Sequence, residues 1–458
     1  MSRIHDSMND AGKGAYFIWN RLVNKKHRHK CYCIAPKGIE ELRRAAFAPR
    51  VRVSAGYWYL TDFGTASLRL ICESLIRQPR IAGSISWKTV WTTALKALES
   101  ELEMLECGSK VAIDSVNSLA LLEESLHGMI DTFEVFVLLS GLKLNGLDEV
   151  SKGMNRIGML SAEEQERIIA EDVTLRAHPG TEEQRADFSR RIQEQFGGRL
   201  FLATVVNGDS ESAKLKGQKQ ARKLINYFRF VICVLFHARV SENLMKIGIA
   251  SQMYSNMDEG LCVGKYKYGL STFFGRGRRS MEDFVLTVER LRDLEENAYI
   301  DEFVSILDKE KPSELEGSIL TAIYWIGEAQ DEYDLDVAFL KYFLSMEALF
   351  TGVDKPTHSL ASRVASVNAF GGYGTVDQGC IDDEYRSIKR LYRKRSKIIH
   401  RGMSVASDGI VSAHDVACIC RLAAFSILEI FAMNSAGYDD MTEVRRRIDS
   451  LYSGPKPG

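Results

Sequence analysis

The chain has 458 residues, 45% of them hydrophobic and 26% charged, the balance of a globular protein with length for about two to four domains. A formal net charge of −1 excludes a global polyanion-binding field, so any nucleic-acid site has to come from local clustering of Lys and Arg. Eight prolines and no low-complexity tract argue against long disordered linkers.

The polar start MSRIHDSMNDAGKG carries no apolar segment of the signal-peptide kind. The longest apolar run, about Val231 to Phe236, is far short of the ~20 residues that a bilayer span needs. A cytoplasmic location without a membrane partner is therefore expected. The nine cysteines form no CxxC pair, and the i, i+2 pairs Cys31/Cys33 and Cys418/Cys420 suit neither a disulfide nor a zinc knuckle. Reduced, buried thiols are the simpler reading.

Residues 1–139 read as a mixed α/β region. Arg28–Ile34 and Val51–Leu60 have the aromatic, alternating character of strands. Thr65–Arg77, Trp87–Leu105 and Asp114–Leu139 carry apolar residues at helical spacing. Residues 140–312 read as a middle α+β region. It holds a charged segment at Ser161–Asp172, a strand at Arg199–Val206, a long helix at Lys214–Val240, a hairpin at Gly260–Phe274 and a helix at Met281–Leu307. The charged stretch Asp308–Pro312, closing on proline, is the best boundary in the chain.

Residues 313–458 are expected to be all helical. Glu314–Glu332, Leu335–Thr351, Ser359–Phe370, Asp382–Arg401, His414–Asn434 and Met441–Tyr452 are amphipathic segments. Gly352, Gly371, Gly372, Gly374 and Gly402 fall where helix ends want a left-handed residue. Short connections of this kind predict an antiparallel bundle, and an α+β protein overall.

The fourth of these helices is the informative one. From Arg386 to Arg401 it holds eight Lys or Arg residues and no carboxylate. Lys389, Arg390, Arg393, Lys394, Lys397 and Arg401 form a field suited to a phosphate backbone. A solvated helix face neutralised by acids elsewhere is the alternative. Within it stands Arg395-Ser-Lys-Ile-Ile-His400-Arg-Gly402. This resembles the R-x4-6-H signature of HEPN domains, and specifically the Apea-like HEPN family. FLKYFLSMEALF (Phe339–Phe350), the SRVAS segment, and LYRKRSKIIHRG leading into a long apolar last helix are similar to that family in order and spacing. The resemblance covers about Glu314 to Asn434, and more loosely Ser140–Val240.

The resemblance implies a metal-independent endoribonuclease, a hydrolase acting on RNA, with Arg395 and His400 as its active-site pair and no cofactor. It also implies a homodimer in which two motifs face one another, and a bacterial role in antiviral defence or toxin-like growth arrest. RNA, tRNA included, is the expected partner, with a phage-derived trigger or regulatory partner acting through the N-terminal region. The chemistry is coherent. Histidine titrates near neutral pH and can take and return a proton. Arginine offers a fixed fork of donors to phosphate oxygens. Five residues turn about 140° around a regular helix, so the two side chains diverge unless the helix ends or distorts before the histidine. Gly402 predicts an end there, with His400 in the last turn. The helix C-terminus favours imidazolium, while Arg395, Lys397 and Arg401 disfavour it.

Other readings stay open beside this one. The alternatives are His400 as a helix C-cap histidine, Arg395 as a structural partner of Glu347, and the whole domain as a catalytically silent dimerisation or RNA-binding scaffold. Ser396 departs from the Asn, Asp or His that many HEPN nucleases carry after the arginine. Its hydroxyl can bond phosphate but cannot act as a second base. Glu347, in the otherwise apolar FLSMEALF, is expected to orient Arg395, because an unpaired carboxylate there is costly. An exposed position on a polar face is the alternative. His27, His29, Cys31 and Cys33 alternate on one strand face, which cannot surround a metal ion alone. GRGRR at Gly275–Arg279 lacks a dinucleotide context and reads as a solvated turn.

Overall fold

The computed structural model describes residues 18–19, 22, 32–33, 49–53, 56–106, 115–170, 182–236, 247–249, 257–264, 270–275, 284–332, 334–351, 356–370, 378–401 and 411–451. The first strands are β1 (Tyr32–Cys33), β2 (Arg50–Val53) and β3 (Gly56–Leu60). The expected single strand Val51–Leu60 is instead a hairpin, with Val53 opposite Gly56. Helices α1 (Asp62–Ile76), α2 (Trp87–Glu106) and α3 (Ser115–His127) follow and share a separate buried cluster from Trp19 to Leu126.

The predicted helix Asp114–Leu139 stops halfway. After His127 the chain turns at Gly128 and continues as strand β4 (Asp131–Ser140). The physical reason is the run Phe133–Leu139. Its two Phe and two Val lose rotamer freedom in a helix and pack well on a pleated surface. Both faces of this strand are buried, so it lacks the alternation that marks a half-exposed strand.

Next come β5 (Leu142–Asn145), β6 (Glu149–Lys152), β7 (Asn155–Met159), α4 (Ala162–Ala170), α5 (Glu182–Phe196), β8 (Leu200–Gly208) and α6 (Ser210–Phe236). They are followed by β9 (Gly248–Ile249), β10 (Met257–Gly264), β11 (Leu270–Gly275) and β12 (Phe284–Thr287). The main sheet has the order β11-β10-β4-β8-β7-β6, with β9 on the end of β4. Strands β10 and β11 form the expected hairpin. The predicted helix Met281–Leu307 begins instead as β12, parallel to β5, and only then becomes α7 (Val288–Asn297) and α8 (Ile300–Asp308). Phe-Val-Leu-Thr favours a strand, and Thr287 caps α7 by accepting from Arg290 N at 3.2 Å.

Helix α6 lies between the sheet and the bundle. On one side Gly217 lets it approach β4 so closely that a Cβ there would sit 2.5 Å from Val135 Cβ. On the other, the Tyr227 ring stacks on Phe303 of α8 at 4.3 Å. Asp209, just before α6, accepts from Ser86 N and Oγ at 3.0 Å, from Ser212 N at 2.9 Å, and from the Thr89 hydroxyl. One carboxylate thus caps α6 and holds the start of α2.

Asp308 accepts from Met154 N at 3.0 Å, Asn155 Nδ2 at 3.2 Å and Gln220 Nε2 at 3.1 Å. Gly153, at φ +58°, is required beside it, since any side chain would collide with that carboxylate. The buried cluster is continuous from Phe133 to Ile448, on both sides of the charged stretch 308–312.

The C-terminal region is helical: α9 (Glu314–Gln330), α10 (Leu335–Phe350), α11 (Pro356–Phe370), α12 (Gln378–Arg401), α13 (Ala413–Ser435) and α14 (Met441–Leu451). Ser313 and Glu316 form a capping box on α9, and Asp334 caps α10. These two helices fold back on each other, with Ser345 Oγ donating to Ala322 O at 2.8 Å. Helix α13 is long and apolar enough by composition to cross a membrane, but 56% of that stretch is buried among its neighbours. That is the burial expected of a core helix. Its end has Tyr438 N donating to Met433 O at 3.2 Å, with Gly437 at φ +94°. Gly352, Gly371, Gly372, Gly374 and Gly402 lie outside the described residues. Cys72, Cys233, Cys418 and Cys420 are free thiols. The architecture is mixed α+β with a helical C-terminal region.

Candidate active site on the cationic helix

Helix α12 sorts its side chains by face. Ile381, Ile388, Leu391 and Ile398 are buried, at the spacing of one helical stripe. Arg386, Lys389, Arg390, Arg393 and Lys397 are exposed along the opposite side. Only Arg386 of these carries a described ion pair, an exposed one to Asp383 at 3.3 Å. Lys389 reaches over the Tyr385 ring at 5.6 Å, and the Tyr385 hydroxyl meets His358 Nδ1 at 3.0 Å.

Arg395 belongs to the inner stripe. It turns toward α10, where it meets Glu347 Oε1 at 2.9 Å and Oε2 at 3.1 Å. The pairing leaves the arginine side chain 22% exposed and the glutamate 16%. Its guanidinium also lies 5.2 Å from the centre of the Tyr392 ring, one turn back. Burial pushes the Glu347 carboxyl above the usual glutamate range, and the charge and hydrogen bond of Arg395 pull against that rise. The expected partnership of Glu347 and Arg395 is therefore present as geometry.

Lys394 is engaged differently. Its Nζ meets Asp415 Oδ2 at 2.6 Å. Asp415 is also the third residue of the Ser412 capping box that opens α13. Of the cations singled out in the sequence, Lys394 is thus tied into the fold, whereas Lys389, Arg390, Arg393 and Lys397 face solvent. Ser396 is half-buried between the two faces.

The helix does not break before the histidine. It runs through His400 to Arg401, so His400 sits in the last turn, as Gly402 suggests, but on continuous helix. Arg395 and His400 are then about 140° apart around the axis. The position of His400 falls in register with Arg393 and Lys397, on the cationic side. The side chains of His400 and Arg401 lie outside the described residues.

Two contributors escaped the sequence reading. Tyr392, i−3 from Arg395, offers its ring to the guanidinium, a spacing at which helical neighbours meet. Asp415 claims Lys394 from a distance of 21 residues. The signal that could have found it is the pattern Ser412-x-x-Asp415 before an apolar run.

Among the described residues no group of His, Cys, Asp and Glu could hold a metal ion. His27, His29 and Cys31 lie outside the described residues, as do residues 276–279 of the basic turn. No protein-family model, curated protein or solved structure matches this chain.

Proposed function

We propose that the C-terminal helical region is an endoribonuclease of the HEPN type that works without a metal ion. The observation that carries this reading is the order Arg395…His400 on one cationic helix, with Arg395 held by a half-buried carboxylate on the neighbouring helix. The exposed stripe Lys389, Arg390, Arg393 and Lys397 is suited to track a phosphate backbone. His400 takes the proton of a ribose 2′-hydroxyl, whose oxygen attacks the adjacent phosphorus. The P–O5′ bond breaks, and the leaving oxygen is protonated. The products carry a 2′,3′-cyclic phosphate and a 5′-hydroxyl. An arginine donates to the non-bridging oxygens while charge builds there.

The divergence of Arg395 and His400 on one helix means that a single chain supplies an incomplete set. A two-fold dimer, with two motifs facing each other, would complete it. The same divergence favours a second reading, in which Arg395 is structural and the region is an RNA-binding or dimerisation scaffold. A defence or growth-arrest role, with residues 1–312 as regulator, belongs with the nuclease reading.

The deciding experiment is RNA cleavage by the full chain and by His400→Ala, with and without EDTA. The nuclease reading expects wild-type cleavage to survive chelation, and His400→Ala to be slower by about 10²-fold or more. A folded His400→Ala that cleaves as the wild type does would sink it, and the scaffold reading would take its place. Activity that disappears with chelator and returns with magnesium would refute the mechanism.

A further inference from the structure

Helices α6 and α9 touch where Gly327 lies against Asn226, and a side chain at Gly327 would collide with it. On the N-terminal side of that contact, the same two helices border an open groove of about 670 Å³. This is within the range of pockets that hold small ligands. One wall carries Lys219, Arg222 and Lys223 of α6, and among the described residues no carboxylate lines the groove. Lys219 and Lys223 are one helical turn apart, so their charges repel. Among the described residues neither has a hydrogen-bond or ion-pair partner. Burial, and then the charge of Lys219, pushes the Lys223 ammonium below the usual lysine range. Lys223 is half-buried beside the exposed Lys219, a like-charge arrangement that is costly without a counter-charge, and an anion in the groove would supply one.

Beside the cations the lining combines Leu215, Leu320 and Tyr324 with the polar Gln218 and Thr321. Tyr324 of α9 is 38% exposed and Leu215 of α6 is 63% exposed, which leaves two large side chains facing water beside the cations. Gly317 keeps the space open, since a Cβ there would meet no atom within 4 Å. Glu328, whose charge acts on the Tyr324 phenol, is itself held by the Asn226 amide at 3.2 Å. Cations, an aromatic face and an apolar patch in one concave site match a ligand that combines phosphates with a flat heterocycle.

We propose that the groove between α6 and α9 is a binding site for a nucleoside polyphosphate, with the phosphates on Lys219 and Lys223 and the base against Tyr324 and Leu215. The groove shares no residue with α12 or Glu347, so this assignment stands apart from the nuclease reading.

The test is isothermal titration calorimetry on the full chain, without divalent cations. The probes are ATP, GTP, CTP and UTP, with tripolyphosphate and adenosine as the two halves of the ligand. At least one triphosphate should bind about tenfold or more tighter than either half. Lys223→Gln should weaken that binding about tenfold, the usual scale of one charge-assisted contact. Gly317→Leu keeps every charge and fills the groove, and should abolish binding. If Gly317→Leu does not fold, Tyr324→Ala, at an exposed position, serves in its place and should cost about tenfold. No heat from any of the four triphosphates would overturn the proposal. Tripolyphosphate binding as tightly as the nucleotides would overturn it too, as would a folded Gly317→Leu that binds like the wild type.

Discussion

Two cationic surfaces of this protein make an instructive pair. On α12, Lys389, Arg390, Arg393 and Lys397 stand exposed along one side of a helix. Between α6 and α9, Lys219, Arg222 and Lys223 stand over a groove with Tyr324 and Leu215 beside them. The charge type is the same, and the neighbouring side chains differ. A line of exposed cations along a helix gives attraction that accumulates along a polymer and falls with salt. A concave site adds apolar contact that a polymer backbone does not need and a heterocycle does. Net charge is close to zero for the chain as a whole, so each surface acts through its own local field.

The largest expected effect separates the two surfaces directly. Replacing Lys389, Arg390 and Arg393 together by Gln should weaken RNA binding about 10- to 100-fold at ~0.1 M salt. It should also flatten the slope of log K against log salt by about two to three, since fewer counterions are released. Nucleotide binding in the groove should not change. Fluorescence anisotropy with a labelled RNA across a salt series measures the first effect. An unchanged slope would mean that the exposed stripe does not carry the RNA.

The next effect separates the two faces of α12 itself. Arg395 is an inner-face residue, so Arg395→Ala should lower folding stability by about 1–3 kcal/mol at neutral pH, because it leaves the half-buried Glu347 carboxylate unpaired. The outer-face Arg393→Ala should change stability by less than about 0.5 kcal/mol. The sign of the pH dependence follows from Glu347. Its folded-state value is already raised by burial and rises further without Arg395, so its charged form destabilises the fold at neutral pH. That penalty is relieved as pH falls through the raised value toward the ordinary glutamate range. The gap between Arg395→Ala and wild type in urea unfolding should therefore narrow on acidification. No gap at neutral pH would show the pair to be unimportant to the fold, and a gap that widens on acidification would show that Glu347 is not its cause.

How much of this was legible beforehand depended on the kind of pattern. The six C-terminal helices were readable because each has one apolar stripe and a polar start, as with Ser313 before α9 and Asp334 before α10. Strand β4 was not. Val135–Leu139 is apolar on both faces, and a continuous apolar run matches a helix template as well as a strand. Strand β12 was hidden because it pairs with β5, about 140 residues away in sequence, a partner that no local pattern reveals. At the site, the Glu347–Arg395 pair was inferable from burial cost alone, since a lone carboxylate on an apolar helix needs a cation. The continuity of α12 through His400 was not. Gly402 marks an end, but it does not say whether the last turn keeps its regular twist.

The smallest expected effect concerns Lys394, the second cation of α12, after Arg395, that the fold ties down. Asp415 accepts from Ser412 N at 2.9 Å and Ser412 Oγ at 2.7 Å, and from Lys394 Nζ at 2.6 Å. Burial pushes its carboxyl up, but the Lys394 and Ser412 hydrogen bonds outweigh that and bring it down to about 2. A depressed acid stabilises the fold above its ordinary value, near ~3.9 when unfolded, and that stability is lost as pH falls through about 2. Asp415→Asn keeps the shape of the cap and removes the charge, and should cost about 1 kcal/mol at pH 7. In urea unfolding the difference from wild type should fade between about pH 4 and pH 2. The same substitution releases Lys394 toward solvent beside Arg390 and Arg393. RNA affinity should then rise a few-fold, and the salt slope should steepen by about 0.7, the increment of one added phosphate contact on a single strand. A variant that loses stability without gaining RNA affinity would place Lys394 outside the reach of the backbone. The cationic line on α12 would then end at its outer face.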